Sequence, residues 1–117
     1  MTHNEELLLK DLCGRLPYGV KVEIYNHWRD EYEDETLTLE NYAELIKTFS
    51  IEDIKPYLFP LSSMTVKQRD SYRFLTSSAH ASPAALIDFF HKNHIDYKGM
   101  ISKRLAKDAT NLNIYQL

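Results

Sequence analysis

The strictest constraint in this chain is the alternation over Val20-Lys21-Val22-Glu23-Ile24-Tyr25, which sets Val20, Val22 and Ile24 against Lys21, Glu23 and Tyr25. Successive side chains of a strand point to opposite faces, so a period of two demands a strand with one buried and one wet face. Glu35-Thr36-Leu37-Thr38-Leu39-Glu40 repeats the pattern with Leu37 and Leu39 inward. The polar stretch from Asn26 to Asp34 turns the chain between them, and a hairpin of 20–25 with 35–40 is expected. Two strands alone are marginal in water, so the sheet needs a further partner.

The neighbouring segments supply candidates. Tyr42, Leu45, Ile46 and Phe49 fit a helical stripe, but 41–49 also reads as a third strand with poor alternation; the need for a partner favours the strand. Ile54-Lys55-Pro56-Tyr57-Leu58-Phe59-Pro60-Leu61 is extended, and its two prolines make it an edge strand at best. It either seals the sheet, with Leu58 and Leu61 in the core, or presents Tyr57 and Phe59 to a partner; sealing is favoured, because 62–65 lead straight into a capped helix.

Helices are expected on both sides of the sheet. Thr2 with Glu5 matches a capping box, and Leu8, Leu9, Leu12, Cys13 and Leu16 recur at helical spacing over about 3–14, with Gly14 as terminator and Pro17 beyond it. Thr65 with Gln68 opens a second helix over 65–76. Ser82 and Pro83 cap a third, with Ala85, Leu86, Phe89 and Phe90 as its buried stripe. A short helix is expected over 99–107, and the tail 111–117 is apolar enough to dock. The fold class is therefore α+β: an N-terminal helix, a small bent antiparallel sheet, then two or three C-terminal helices. A small SH3-like or Sm-like barrel over 18–60 is its specific version.

With 117 residues and 44% hydrophobic content, the chain matches one ordinary globular domain, 1–61 forming helix plus sheet and 62–117 the helical part. Cys13 is the sole cysteine, which excludes an internal disulfide and a cysteine-based metal site of the usual two-to-four-ligand kind. The N-terminal residues lack the basic start of a signal peptide, and no stretch approaches a membrane span. A cytoplasmic protein without membrane contact is expected.

Three stretches carry a resemblance: Leu7-Leu8-Leu9-Lys10-Asp11-Leu12-Cys13-Gly14-Arg15-Leu16-Pro17-Tyr18-Gly19-Val20, then the run from Ile54 to Thr65, then His94-Ile95-Asp96-Tyr97-Lys98-Gly99-Met100-Ile101. In this order the chain resembles a family of small uncharacterised proteins from gut Bacteroidales genomes and their phages and mobile elements. Members often carry Arg where this chain has Phe59, and the segment before Ile54 varies among them. The resemblance implies a phage or mobile-element setting and an accessory or host-interaction role, with no activity attached.

The residues themselves offer several candidate sites. Asp88, His91 and His94, with Asp96 beyond, are spaced to suggest metal ligands, but imidazoles near a helix C-terminus are also favoured by its dipole, and structural roles are expected. The acidic run Asp30, Glu31, Glu33, Asp34 and Glu35 lacks the pattern of a calcium loop and reads as a solvated hairpin tip. Ser62, Ser63 and Thr65 with His80 or His91 lack the context of a nucleophile and base, and three scattered glycines cannot cradle a phosphate. No catalytic, cofactor or metal site is assigned, and an enzyme is not expected. Tyr25, Trp28, Tyr32, Tyr57 and Phe59 are the candidate partner-binding residues, with Tyr18 a further exposed-looking aromatic, because Tyr and Trp anchor interfaces.

Charge is uneven: residues 1–60 carry six Lys/Arg against thirteen Asp/Glu, and 61–117 carry eight against four. Lys92, Lys98, Lys103, Arg104 and Lys107, beside Tyr97, form a basic region suited to nucleic-acid backbones, but the pI near 5.9 weighs against that use. The leading expectation is thus a non-enzymatic accessory protein that binds another protein, host or phage, with a nucleic-acid-binding module as the alternative.

Overall fold

Thr2 caps the first helix as its sequence requires, its hydroxyl accepting from the Glu5 N–H at 3.1 Å. The computed structural model describes residues 1–115; Gln116 and Leu117, the end of the tail expected to dock, lie outside the described residues. Helix α1 (His3–Arg15) buries Leu8 and Leu12, with Leu16 following in the next turn. Gly14 does not end the helix. It sits against the His91 imidazole, where a Cβ would lie 2.5 Å from Cε1, so glycine serves close approach there. The chain turns instead at Gly19, φ 70°.

Strands β1 (Val20–Asn26) and β2 (Glu31–Leu37) form the expected antiparallel hairpin, registered from Val20 opposite Leu37 to Asn26 opposite Glu31. The turn is tighter than expected. Asn26 Oδ1 accepts from the Trp28 and Arg29 N–H groups at 3.0 and 3.3 Å, closing the loop locally, so 31–34 belong to the strand. Leu39, expected inward, is 67% exposed, because β2 ends at Leu37. Reciprocal bonds between Thr38 and Asn41 then start helix α2 (Tyr42–Thr48). The strand expected over 41–49 is therefore corrected: the helical stripe of Tyr42, Leu45, Ile46 and Phe49 packs on the core.

The third strand is β3 (Ile54–Pro60), which lies inside the sheet rather than at its edge. It runs antiparallel to β1 (Val22 opposite Pro56) and parallel to two short strands, β4 (Ile95–Asp96) and β5 (Lys107–Asp108). The sheet is thus mixed rather than wholly antiparallel. Its prolines are tolerated because the ladders divide the strand: 54–56 pair with β1, 57–58 with β5 and 59–60 with β4. Among the described residues no position of β3 is laddered on both sides. The sheet is open, with β2 paired among the described residues to β1 alone, so the barrel expected over 18–60 does not form.

Two C-terminal helices follow among the described residues. Helix α3 (Val66–Thr76) carries the complete capping box of Thr65 and Gln68, and every residue in it stays at least partly exposed. Helix α4 (Pro83–Lys92) is capped by Ser82; of its expected stripe only Phe90 is buried, joined by His91. The helix expected over 99–107 is replaced by turns. The buried carboxylate of Asp96 accepts from the Met100 and Ile101 N–H groups, both at 2.9 Å, which holds the chain in a turn before β5. No helix among the described residues is long and apolar enough to cross a membrane.

The core joins α1 to the inner sheet face through Leu8, Leu12, Leu16, Val20, Val22, Ile24, Leu37, Ile54, Leu58 and Met100. Leu58 is core as expected, whereas Leu61 is 45% exposed in the turn after β3. Beside this apolar cluster lies a fully buried ion pair. Arg15 Nε donates to Asp11 at 2.8 Å and Nη2 at 3.2 Å; Nη2 also reaches the Ile95 carbonyl at 2.7 Å and Nη1 the Phe90 carbonyl at 3.4 Å.

Leu58→Ala should lower stability by about 2–4 kcal/mol in chemical denaturation, the usual cost of a buried leucine cavity. Leu61→Ala should cost under about 0.5 kcal/mol, as surface sites do. Asp11→Ala, which strands a buried guanidinium, should cost about 3–5 kcal/mol by the same measurement.

Candidate protein-binding face

Because Val22, Ile24, Ile54, Pro56 and Leu58 are turned into the core, the alternate residues of the same strands share the opposite, outer face. Register sets Tyr25 beside Tyr32, Glu23 between Asp34 and Lys55, and Lys21 beside Thr36. The Tyr25 and Tyr32 rings are 5.0 Å apart at 59°, a tilted aromatic pair. Tyr25 also donates to Asp30, and this hydrogen bond, with lesser burial and the Asp30 charge, raises its pKa above the ordinary phenol value.

Tyr57 stands between two carboxylates, its hydroxyl 2.9 Å from Asp34 Oδ1 and 3.2 Å from Glu23 Oε2. Burial, then the bond to Asp34 and the two negative charges, hold its pKa well above that of a free phenol. Lys107 Nζ lies 3.4 Å from Glu23, and Lys21 Nζ donates to Thr36 at 3.4 Å. A cleft of about 540 Å³ opens on this face between Lys21, Asp34, Glu35, Thr36 and Tyr57 and the tail residues Leu112 and Ile114.

Of the partner-binding candidates, the sheet therefore brings together Tyr25, Tyr32 and Tyr57. Trp28 is 76% exposed at the hairpin tip, its ring 6.0 Å from Phe49. Phe59 packs 5.8 Å from Tyr115. Tyr18 donates to Asp88. Tyr115 was missed by sequence reasoning because the tail around it has no periodicity. Its phenol enters where β1 and β3 part: Lys21 N–H donates to it at 2.9 Å, and it donates to the Tyr57 carbonyl at 2.8 Å. Its ring stacks on His94 with centroids 3.7 Å apart at 12°.

The basic candidates do not form one patch. Lys98 Nζ sits 3.8 Å from the buried Asp11 carboxylate and 5.4 Å from the Tyr97 ring centroid, and Lys107 pairs with Glu23. Lys92 lines a separate groove between α3 and α4. Lys103 and Arg104 project from the turn after Gly99.

The other constellations go to local partners. His91 Nε2 and the Tyr97 hydroxyl share a hydrogen bond at 2.8 Å, so Asp88, His91 and His94 serve three different neighbours. Among the described residues no three His, Cys, Asp or Glu side chains gather to hold a metal. Ser63 donates to the Pro60 carbonyl, Thr65 caps α3, and His80 stacks on Phe74. No protein-family model, curated protein or solved structure matches this chain.

His94 supplies a pH handle. Burial, then the charges of Arg15 and Lys21, push its pKa down from 6.5 to about 4. The neutral ring is favoured in the fold, so its stability contribution is present above the unfolded value and lost as pH falls through that window. His94→Asn, which tolerates the left-handed backbone at φ 58°, should reduce the loss of stability between pH 7 and about pH 5, read from denaturation midpoints.

Proposed function

We propose that the chain is a non-enzymatic accessory protein of the cytoplasm that binds another protein through the outer face and free edge of its sheet. The partner presents a basic, extended segment. The observation that carries this reading is β2 itself. Among the described residues it is paired on one side only, and Asp34 on one face with Glu31, Glu33 and Glu35 on the other flank its open edge. An open edge takes an added strand through main-chain hydrogen bonds. Carboxylates along it repel a second copy of the same edge and attract a basic segment.

Tyr25, Tyr32 and Tyr57 beside that edge supply the amphipathic contact area that interfaces favour. The non-enzymatic part rests on the local destinations of the serines, threonines and histidines described above. The sequence resemblance supports a phage or mobile-element setting for the role. Nucleic acid is disfavoured, since two of the five basic candidates are engaged by Asp11 and Glu23 and the face itself is acidic.

Immobilised protein is incubated with host lysate, with and without nuclease, beside a Glu31→Lys/Glu35→Lys variant whose two positions are exposed. The expected result is nuclease-resistant capture of a basic protein, with affinity reduced more than about tenfold in the variant. Capture that disappears with nuclease, or that survives charge reversal unchanged, overturns the reading.

A further inference from the structure

The slot that holds Tyr115 has the features of a recognition site. One wall is the His94 imidazole, stacked face to face on the phenol, and Phe59 packs against the same ring. At the far end a single oxygen both accepts from Lys21 N–H and donates to the Tyr57 carbonyl. A phenol meets both demands with one atom. A phenyl ring leaves both backbone groups unpaired, which sites of this kind reject strongly.

Two observations at the slot go beyond packing. His94 is held at φ 58°, and its buried Nδ1 has no hydrogen-bond partner among the described residues. Backbone held in this sparsely populated region gathers at binding sites and ligand clamps, whereas Nδ1 lies in the imidazole plane and does not face the stacked ring. The segment delivering Tyr115 is lightly held. Asn111 and Asn113 have φ of 67° and 53°, and beyond Leu112 no backbone hydrogen bond among the described residues secures it. The slot adjoins the 540 Å³ cleft, since Lys21 and Tyr57, whose backbone groups hold the phenol, also line it, together with Asp34 and Glu35.

The geometry points to a site for a partner's tyrosine side chain flanked by lysine or arginine, with Tyr115 as an intramolecular stand-in that the partner displaces. This deepens the protein-binding reading and rests on it. The phenol fills the slot between His94 and the strand backbones, and the flanking cation meets Asp34 and Glu35. The tail segment leaves its left-handed turns when the partner enters.

The test uses the full chain carrying Tyr115→Ala and the peptide acetyl-Lys-Tyr-Lys-amide, with binding read by calorimetry and by the His94 ring signals in NMR. Tyr115→Ala should bind this peptide at least about tenfold more tightly than the unaltered chain, whose own tail competes. The counterparts with Phe for Tyr, or Glu for Lys, should each bind at least about tenfold more weakly than acetyl-Lys-Tyr-Lys-amide. Tyr115→Phe keeps the stack and loses both hydrogen bonds, so it should lie between the other two proteins and guards against misfolding of the alanine variant. Equal binding by altered and unaltered chains, equal binding of the Phe peptide, or preference for uridine over acetyl-Lys-Tyr-Lys-amide overturns the proposal. Should these fail while Glu31→Lys/Glu35→Lys still weakens capture of the basic partner by more than about tenfold, the slot assignment falls and the binding face stands.

Discussion

The Asp11–Arg15 pair ties the two halves of the molecule together. It is one turn of α1 closing on itself, and both side chains are fully buried. Burying two charges is costly, and the cost is offset only where geometry is good and the remaining donors are satisfied. Here the guanidinium grips the carboxylate with two nitrogens and turns its other hydrogens onto carbonyls at the end of α4 and the start of β4. The arrangement is specific to arginine, whose planar fork spans several acceptors at once. Lys98 and the Tyr97 ring lie over the same pair.

Much of the local geometry depends on that clasp. With α4 drawn onto α1, the His91 ring meets Gly14 and shares a hydrogen bond with Tyr97. The chain leaves α4 through His94 in a left-handed turn, and the His94 carbonyl accepts from Phe59 N–H at 2.8 Å, adding β4 beside β3. Imidazole, Tyr115 ring and Phe59 then meet at the point where β1 and β3 separate. A polar contact inside the core thus positions an aromatic site on the sheet.

Charge and topology act together on the outer face. The hairpin places six carboxylates and two basic residues within residues 20–37, and four of the six, Glu31, Glu33, Asp34 and Glu35, lie on β2 at the edge of a sheet that stays open rather than closing into a seam. Two basic residues from the C-terminal half come back to acidic partners: Lys107 to Glu23 and Lys98 to Asp11. The uneven charge along the sequence therefore becomes internal pairing in part, and the surplus acid remains on one strand. That surplus gives the proposed basic partner its chemical identity.

Local patterns determined much of this protein by themselves. The period of two over 20–25 yields β1 and its inward Val20, Val22 and Ile24; Thr2, Thr65 and Ser82 cap their helices; Leu58 is core. These are legible because the forces involved act over a few residues: side-chain alternation, and a hydroxyl reaching a backbone N–H three positions on. Tyr25, Tyr32 and Tyr57 were legible as a list of aromatics, but their common face was not. Residues 41–49 carry a helical stripe, against which the sheet's need for a third strand weighs when the sequence is read alone. The place of β3 inside the sheet, its parallel partners and the Tyr115 slot have no local signature, because each is set by ladders and contacts between residues far apart in the chain. Prolines in β3 point to an edge when every strand position is taken to need partners on both sides. Only the tertiary structure shows one strand divided among three neighbours, each claiming a different stretch of its backbone.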